Sequence, residues 1–443
     1  MTALNIAVVG AGVAGLSAAW LLSKQHRVVV FEAGNTVGGH SNTIDVIDAD
    51  EVHGVDTGFI VYNPPNYPNL CALFDHLEVA TKVAPMTFSV SLDDGAYEYS
   101  GTRVGGLFGQ PSTLFSLDHW RMLKDVLRFF KNAPSDAQRL PLECTLGTYL
   151  AQEGYSTSFI RKHLAPMAGA IWSTPIDAMM DYPVRAFVSF FQNHGLLQVS
   201  NRPQWRTVEG GSRSYVDRIL QDGTFEVRLA TPVRSVSRGS GGVSITDNSG
   251  EVCTFDHVVL ATHADQSLQV LHDADRQEID LLQAFRYTEN LAVVHSDPTL
   301  MPKRKSLWSS WNYIGRDDTS GALTVSYWMN ALQTLAMKRD VFVTLNPPAG
   351  CDVRQEIARF TYQHPVFDVD ALRAQADLWS LQRRANTWFC GSYFGAGFHE
   401  DALQSGLAVA EDLGSVRRPW RVEGESSRIK RRPAPTPVRE AAE

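Results

Sequence analysis

Residues 5–20 read NIAVVGAGVAGLSAAW, and the reading of this stretch decides the fold. It is apolar enough to be weighed as a secretion signal and glycine-rich enough to be weighed as a phosphate-binding loop. A signal needs a basic leader, but the four residues before the stretch contain no Lys or Arg. Gly10, Gly12 and Gly15 also interrupt the helix that a signal would form. The other reading fits at each step. IAVVG is a short β-branched strand, GAGVAG a turn that includes Ala14, LSAAWLLSKQ an apolar-patterned helix and RVVVFEA a second buried strand. In that context Gly10 permits the tight turn, Gly12 lets backbone N–H groups approach a pyrophosphate, and Gly15 lets helix and strand pack closely. The helix N-terminus faces the phosphates with partial positive charge. Glu32, followed by Ala33, ends the second strand 22 residues after Gly10, placed to accept hydrogen bonds from a ribose. The expected fold is a Rossmann-type α/β dinucleotide-binding domain.

The whole-chain composition agrees with a globular protein. A length of 443 residues predicts two or three folded units, and 44% hydrophobic with 20% charged residues is enough for a real core. A net charge of −8 argues against broad nucleic-acid binding. The five cysteines (71, 144, 253, 351 and 390) are scattered without a CxxC pair, which argues against a disulfide framework and a metal site and fits a reducing cytoplasm. No uninterrupted apolar run reaches the roughly 20 residues of a membrane span. The end of the chain differs from the rest. Residues 417–443 carry eight Arg and Lys against four Glu, a net +4. With the prolines of RIKRRPAPTP, residues 416–443 read as a basic, solvated, disordered tail. The alternative is an electrostatic tether to anionic lipid at the inner face of the membrane.

Two further stretches choose between the dinucleotides. EAGNTVGGHSNT places Gly38 and Gly39 soon after Glu32, with His40 and Ser41 behind them. NTWFCGSYFGAGFHEDALQSGLAVAEDL reads as a strand, a glycine-rich loop and a helix beginning near Asp401. Together they resemble the FAD fingerprints of the flavin amine oxidase and phytoene desaturase superfamily. The resemblance implies FAD as cofactor. It implies contacts from Gly38, Gly39, His40 and Ser41, from Thr57, Gly58 and Phe59 of VDTGFIVYNPPNYPNL, and from Val233 and Ala261. At the far end it implies Gly391, Phe398, Glu400, Asp401 and Ala402. His40 stands where that superfamily often has Arg, and Asp401 where it usually has Gly. The FAD domain is then expected to be discontinuous, over 1–60, 205–275 and 380–415. An α+β substrate domain takes 61–204 and 276–379. No second glycine fingerprint for a nicotinamide cofactor is found, so electrons are expected to enter from the substrate.

The substrate half carries a narrower resemblance. GAIWSTP, NHGLLQVSNRPQWRTVEGGSRSYV, SLWSSWNYIG and VSYWMNALQ look like the FAD-dependent oxidoreductase-like part of plant cyclopropane fatty acid synthases and related free-standing bacterial flavoproteins. That implies a lipid or fatty acyl substrate and a partner methyltransferase of the cyclopropane-synthase kind. Removing hydride from an allylic or branched carbon leaves a cation that an aromatic, water-poor pocket stabilises. Trp172, Trp205, Trp308, Trp311, Tyr327, Trp328, Tyr393 and Phe398 are candidates for that pocket. His194, Arg202, Tyr393 and His399 are the candidates for positioning or proton removal. A redox-neutral double-bond isomerase, an amine oxidase and a non-enzymatic flavin scaffold remain as alternatives. Against the amine oxidase, the lysine that many such enzymes place near the flavin has no assigned match, although Lys303 and Lys305 are nearby in sequence.

Overall fold

Five parallel strands carry the opening motif. In the computed structural model, which describes residues 2–172, 179–239, 241–316, 324–348 and 350–431, Asn5–Val9 lies at the centre of this sheet. His257–Leu260 and then Thr387–Phe389 flank it on one side, Arg27–Phe31 and Glu226–Arg228 on the other. Ile6, Val8, Val28 and Val30 are buried under helices on one face. On the other, Ala7, Val9 and Phe31 pack with Val236, Val243 and Ile245 of a three-stranded antiparallel sheet, so both faces are covered as a parallel sheet requires. Helix Val13–Leu22 starts from the glycine turn and packs against the closing helix His399–Gly414. The two approach closely because Gly406 has no side chain: a Cβ there would stand 2.2 Å from the Ala14 carbonyl oxygen.

A second sheet of seven strands holds the other half. Its order is Glu356–Val366, Arg286–His295, Phe342–Leu345, Thr324–Trp328, Trp311–Gly315, Phe88–Leu92 and Tyr97–Ser100. Helices Leu117–Arg139, Ala165–Trp172 and Val184–Asn193 stand beside it. The strands of the parallel sheet all come from 1–60, 205–275 and 380–415, and those of the seven-stranded sheet from 61–204 and 276–379.

The tail departs from expectation over residues 416–431. Arg418 is buried and ion-paired with Glu411 at 2.8 Å, Arg428 pairs with Asp401, and Arg431 pairs with Asp412 at 2.6 Å. Trp420 stacks on Trp20 at 5.8 Å, and Ile429 is buried in the core. Basic composition predicted solvation; carboxylates on the preceding helix and an aromatic platform hold the segment instead. The remaining tail residues, 432–443, lie outside the described residues. Among the described residues no helix is long and apolar enough to cross a membrane.

Candidate functional site

One continuous cavity of about 1550 Å³ runs from the glycine turn into the space between the two sheets. Pockets for one small ligand run from roughly 300 to 1,000 Å³, so this volume suits a cofactor and a substrate together. At its first end the wall is largely backbone. Gly10 has φ +101° and its Cβ would meet the Ala261 carbonyl oxygen at 2.9 Å; a Cβ on Gly15 would stand 1.9 Å from the Gly10 oxygen. Gly12 is different: nothing lies within 4 Å of its Cβ position, which opens to the cavity. It caps helix Val13–Leu22 with no side-chain cap and no acid in the first turn. The helix N–H groups are thus left for an anion. Gly38 closes the cradle, its N–H donating to the Ala11 oxygen at 2.8 Å. Glu32 accepts from Ala11 N and Gly34 N, both at 2.8 Å, which fixes its carboxylate at the cavity wall. An uncapped helix end, an open Gly12 and a fixed acid at the strand end fit an adenine dinucleotide.

Beyond the cradle the wall becomes aromatic. His399, the first residue of the closing helix, stacks on Phe59 at 3.9 Å, and its Nε2 lies 2.7 Å from Tyr215 Oη. Tyr215 in turn contacts Ser41 Oγ at 2.5 Å. Burial pushes His399 down to about 3, leaving its ring neutral. His40 lies over Tyr362 at 4.9 Å; burial, then the neighbouring His364, His263 and His399 rings, pushes it down to about 3. His194 stacks on Phe190 at 3.9 Å, with Phe398 at 5.4 Å and Trp205 at 6.2 Å. Its Nδ1 lies 3.0 Å from the Phe190 carbonyl oxygen, so Nδ1 carries the proton and donates. Nε2 then holds the lone pair, and it is buried at the cavity wall without a partner among the described residues. Burial pushes this ring down to about 4.

Of the candidates, Gly10, Gly12, Ala14, Glu32, Ala33, Gly38, Gly39, His40, Thr57, Gly58, Phe59, Val233, Ala261, Gly391, Phe398 and Ala402 line the cavity. So do His194, Arg202, Tyr393 and His399, with Arg202 at the exposed mouth. Four candidates do not. Gly15 lies under the turn and Ser41 sits behind Tyr215. Glu400 faces inward, accepting from Asn69 N and Nδ2, Leu70 N and Gln404 Nε2. Asp401 accepts from Ala396 N and Phe398 N and pairs with Arg428. A buried carboxylate needs several donors; those of Glu400 come from helix Pro68–His76 and the closing helix, and those of Asp401 from the loop before that helix and from Arg428. Trp205, Trp311 and Tyr327 line the cavity; Trp308 and Trp328 pack against each other instead, and the Trp172 side chain lies outside the described residues. Lys303 and Lys305 pair with Asp94 and Asp340 away from it.

Tyr362, His364, His263, His163 and Tyr67 also line the wall and were missed. A signal existed for two of them: Tyr362 and His364 alternate along Glu356–Val366, and that period of two puts both on one face of the sheet.

The remaining wall is apolar, formed by residues such as Met86, Phe88, Leu123, Val126, Phe130 and Ile171. Among the described residues lining the cavity, Glu32 is the only carboxylate and there is no lysine.

Residues 13–414 match the family described as flavin containing amine oxidoreductase. The chain belongs to that family. Its cofactor is FAD, and it is an FAD-dependent oxidoreductase. A protein of Mycobacterium tuberculosis assigned as a flavin-containing monoamine oxidase is 29% identical over 362 residues, 79% of this chain and 72% of that one. Solved structures share the fold at lower identity. Putrescine oxidase bound to putrescine has TM-score 0.66 and 16% identity, covering 94% of this chain and 99% of its own. The CLA-producing fatty acid isomerase from P. acnes has TM-score 0.65 and 15% identity, covering 93% and 98%.

Proposed function

We propose that this flavoenzyme oxidises fatty acyl chains of lipids, removing hydride from an unsaturated, methyl-branched or cyclopropane-bearing segment. The observation that carries the reading is the cavity wall. Among the described residues beyond the nucleotide end it offers mainly aromatic and aliphatic side chains and no carboxylate to meet an ammonium group. A solved structure named as a CLA-producing fatty acid isomerase shares the fold, which supports an acyl substrate. FAD, when bound, supplies a two-electron acceptor for the hydride.

The chain's own residues do the rest. Apolar walls exclude water, so positive charge developing on carbon is met by ring faces instead of solvent. Phe190, Phe398 and Trp205, grouped around His194, present those faces. His194 Nε2 takes the proton from the adjacent carbon. The two electrons of that C–H bond then close the double bond, so substrate loses one hydride and one proton. A base held down to about 4 is weak, but a carbon next to a cation is a strong acid, and the ring is unprotonated at neutral pH. Phe59, Tyr215 and Ser41 hold the His399 ring in one orientation, which makes it a positioning residue. A methyltransferase of the cyclopropane-synthase kind would generate the branched substrate.

The 29% identity to a monoamine oxidase favours amine oxidation as the second reading. Anaerobic mixing of the holoenzyme with methyl-branched phospholipid separates the two. Bleaching of flavin absorbance with recovery of a desaturated chain is expected. Bleaching by primary amines alone would overturn the lipid reading, and a shifted double bond without net reduction would convert it to isomerisation.

A further inference from the structure

The mouth of the cavity opens through an unusual stretch of surface. Along helix Leu117–Arg139, residues 117, 120, 121, 124, 127 and 131 are all exposed and fall on one face at helical spacing. They are Leu117, Trp120, Arg121, Lys124, Leu127 and Lys131. Leu117 is 74% exposed and Leu127 59%; the turn just before the helix ends on Phe115, which is 89% exposed. Trp120 Nε1 donates to the Leu114 oxygen at 2.9 Å, which joins turn and helix into one apolar ridge. Single exposed apolar residues are ordinary; a contiguous ridge is a mark of an interaction site. Trp120 and Leu127 also line the cavity, so ridge and cavity are continuous.

We infer that this face docks on an anionic phospholipid bilayer and receives acyl chains from it. The inference rests on the lipid reading above. Charge selects the occupant. In a chain of net −8, residues 103–131 carry five Arg and Lys against two Asp, a local +3. A hollow of about 320 Å³ beside the ridge is lined by Arg121, Arg161, Lys162 and Ser158 and by Asp118, which pairs with Arg121 at 3.2 Å; three cations against one carboxylate suit a lipid phosphate. Leu and Trp beside Lys and Arg on one exposed face let apolar side chains meet the acyl boundary while the cations meet anionic headgroups. The opposite face, with Met122, Phe129 and Ala133, is buried in the protein, so the helix rests on the bilayer instead of crossing it. Arg121 and Arg128 pair with Asp118 and Asp125 at 3.2 and 3.3 Å, so the local excess lies in Arg103, Lys124 and Lys131; in segment 416–431 Arg417, Arg418, Arg428 and Arg431 are paired as well.

The test is co-sedimentation of the full-length holoenzyme with phosphatidylglycerol–phosphatidylcholine vesicles and with phosphatidylcholine alone, at about 0.1 M salt. Binding to the anionic vesicles is expected, falling by about tenfold or more in the Phe115→Asp, Leu117→Asp double variant and in Lys124→Glu, Lys131→Glu. None of these residues lines the cavity, so flavin content and flavin reduction by monomeric acyl substrate should be unchanged. Equal vesicle binding by wild type and the first double variant would overturn the proposal, as would no binding by wild type. A dimer in sedimentation velocity that the first double variant splits would also overturn it, assigning the ridge to a second copy of the chain. Lost docking with intact reduction by monomeric substrate leaves the lipid reading standing. Intact, ridge-dependent docking with no reduction by any acyl chain keeps the docking face and removes the chemistry.

Discussion

At the nucleotide end of the cavity the wall is main chain: Gly10, Gly12, Gly38 and Gly39, a helix end and one carboxylate. At the apolar end it is side chain, brought from strands and helices that are distant in sequence. The first kind of wall tolerates almost no change in volume, because its atoms are backbone and have nowhere to move. The second tolerates exchange among apolar residues of similar size. The rigid end suits FAD, the cofactor of this family, and the adjustable end is where exchange of side chains changes what fits.

The comparison breaks first at Gly15. With a Cβ placed 1.9 Å from the Gly10 oxygen, Gly15→Ala is expected to destabilise the protein by about 3 kcal/mol or prevent folding, read as lost thermal stability and flavin-free material. Gly12→Ala sharpens the point. Its Cβ meets no protein atom within 4 Å, so the fold should keep its melting temperature while the flavin content of purified protein falls. Loss of stability in Gly12→Ala would show that the open space there serves packing and not the dinucleotide.

At the apolar end the largest effect is expected at His194. His194→Gln keeps a polar side chain of similar reach but removes the imidazole base. Flavin reduction by substrate should slow by about 10²–10⁴-fold, with flavin content and melting temperature retained. A change confined to KM would remove the base assignment.

These two ends also differed in how much the sequence disclosed. The Gly10, Gly12 and Gly15 spacing was legible because the contacts are local: a turn between adjacent elements encodes its own geometry. The stack of His399 on Phe59 and the contact to Tyr215 join positions 340 and 184 residues apart, and no local pattern encodes such pairings. Asp401 misled for a related reason. Its place at the start of the closing helix was legible, but its carboxylate turns to Arg428, a residue assigned from composition to a solvated tail.

A third test uses the buried rings. His40 and His399 are held down to about 3, and His194 and His364 to about 4, chiefly by burial. An unfolded histidine binds its proton near 6.5, so below that pH the unfolded chain gains protons that the folded chain refuses. Stability is therefore present above about pH 6.5 and declines as pH falls toward 4, by roughly 1 kcal/mol per ring per pH unit. Thermal unfolding between pH 7.5 and 5 should show this decline, and His364→Gln should flatten it by about one ring's share. An unchanged slope would mean the rings are hydrated in solution.

The smallest effect is expected at the mouth. Arg202 donates through Nε to the Gln198 oxygen at 2.7 Å, and its side chain is exposed. An exposed cation interacts with a headgroup or carboxylate through water and salt, which limits it to about 1 kcal/mol. Arg202→Gln should therefore raise KM by about two- to fivefold for a charged lipid and leave kcat within error, because the contact is equally present in ground and transition states. An uncharged acyl ester should show no change in either constant. A fall in kcat with both substrates would move Arg202 from the mouth to the reacting carbon, and the division between a rigid nucleotide end and an adjustable apolar end would have to be redrawn there.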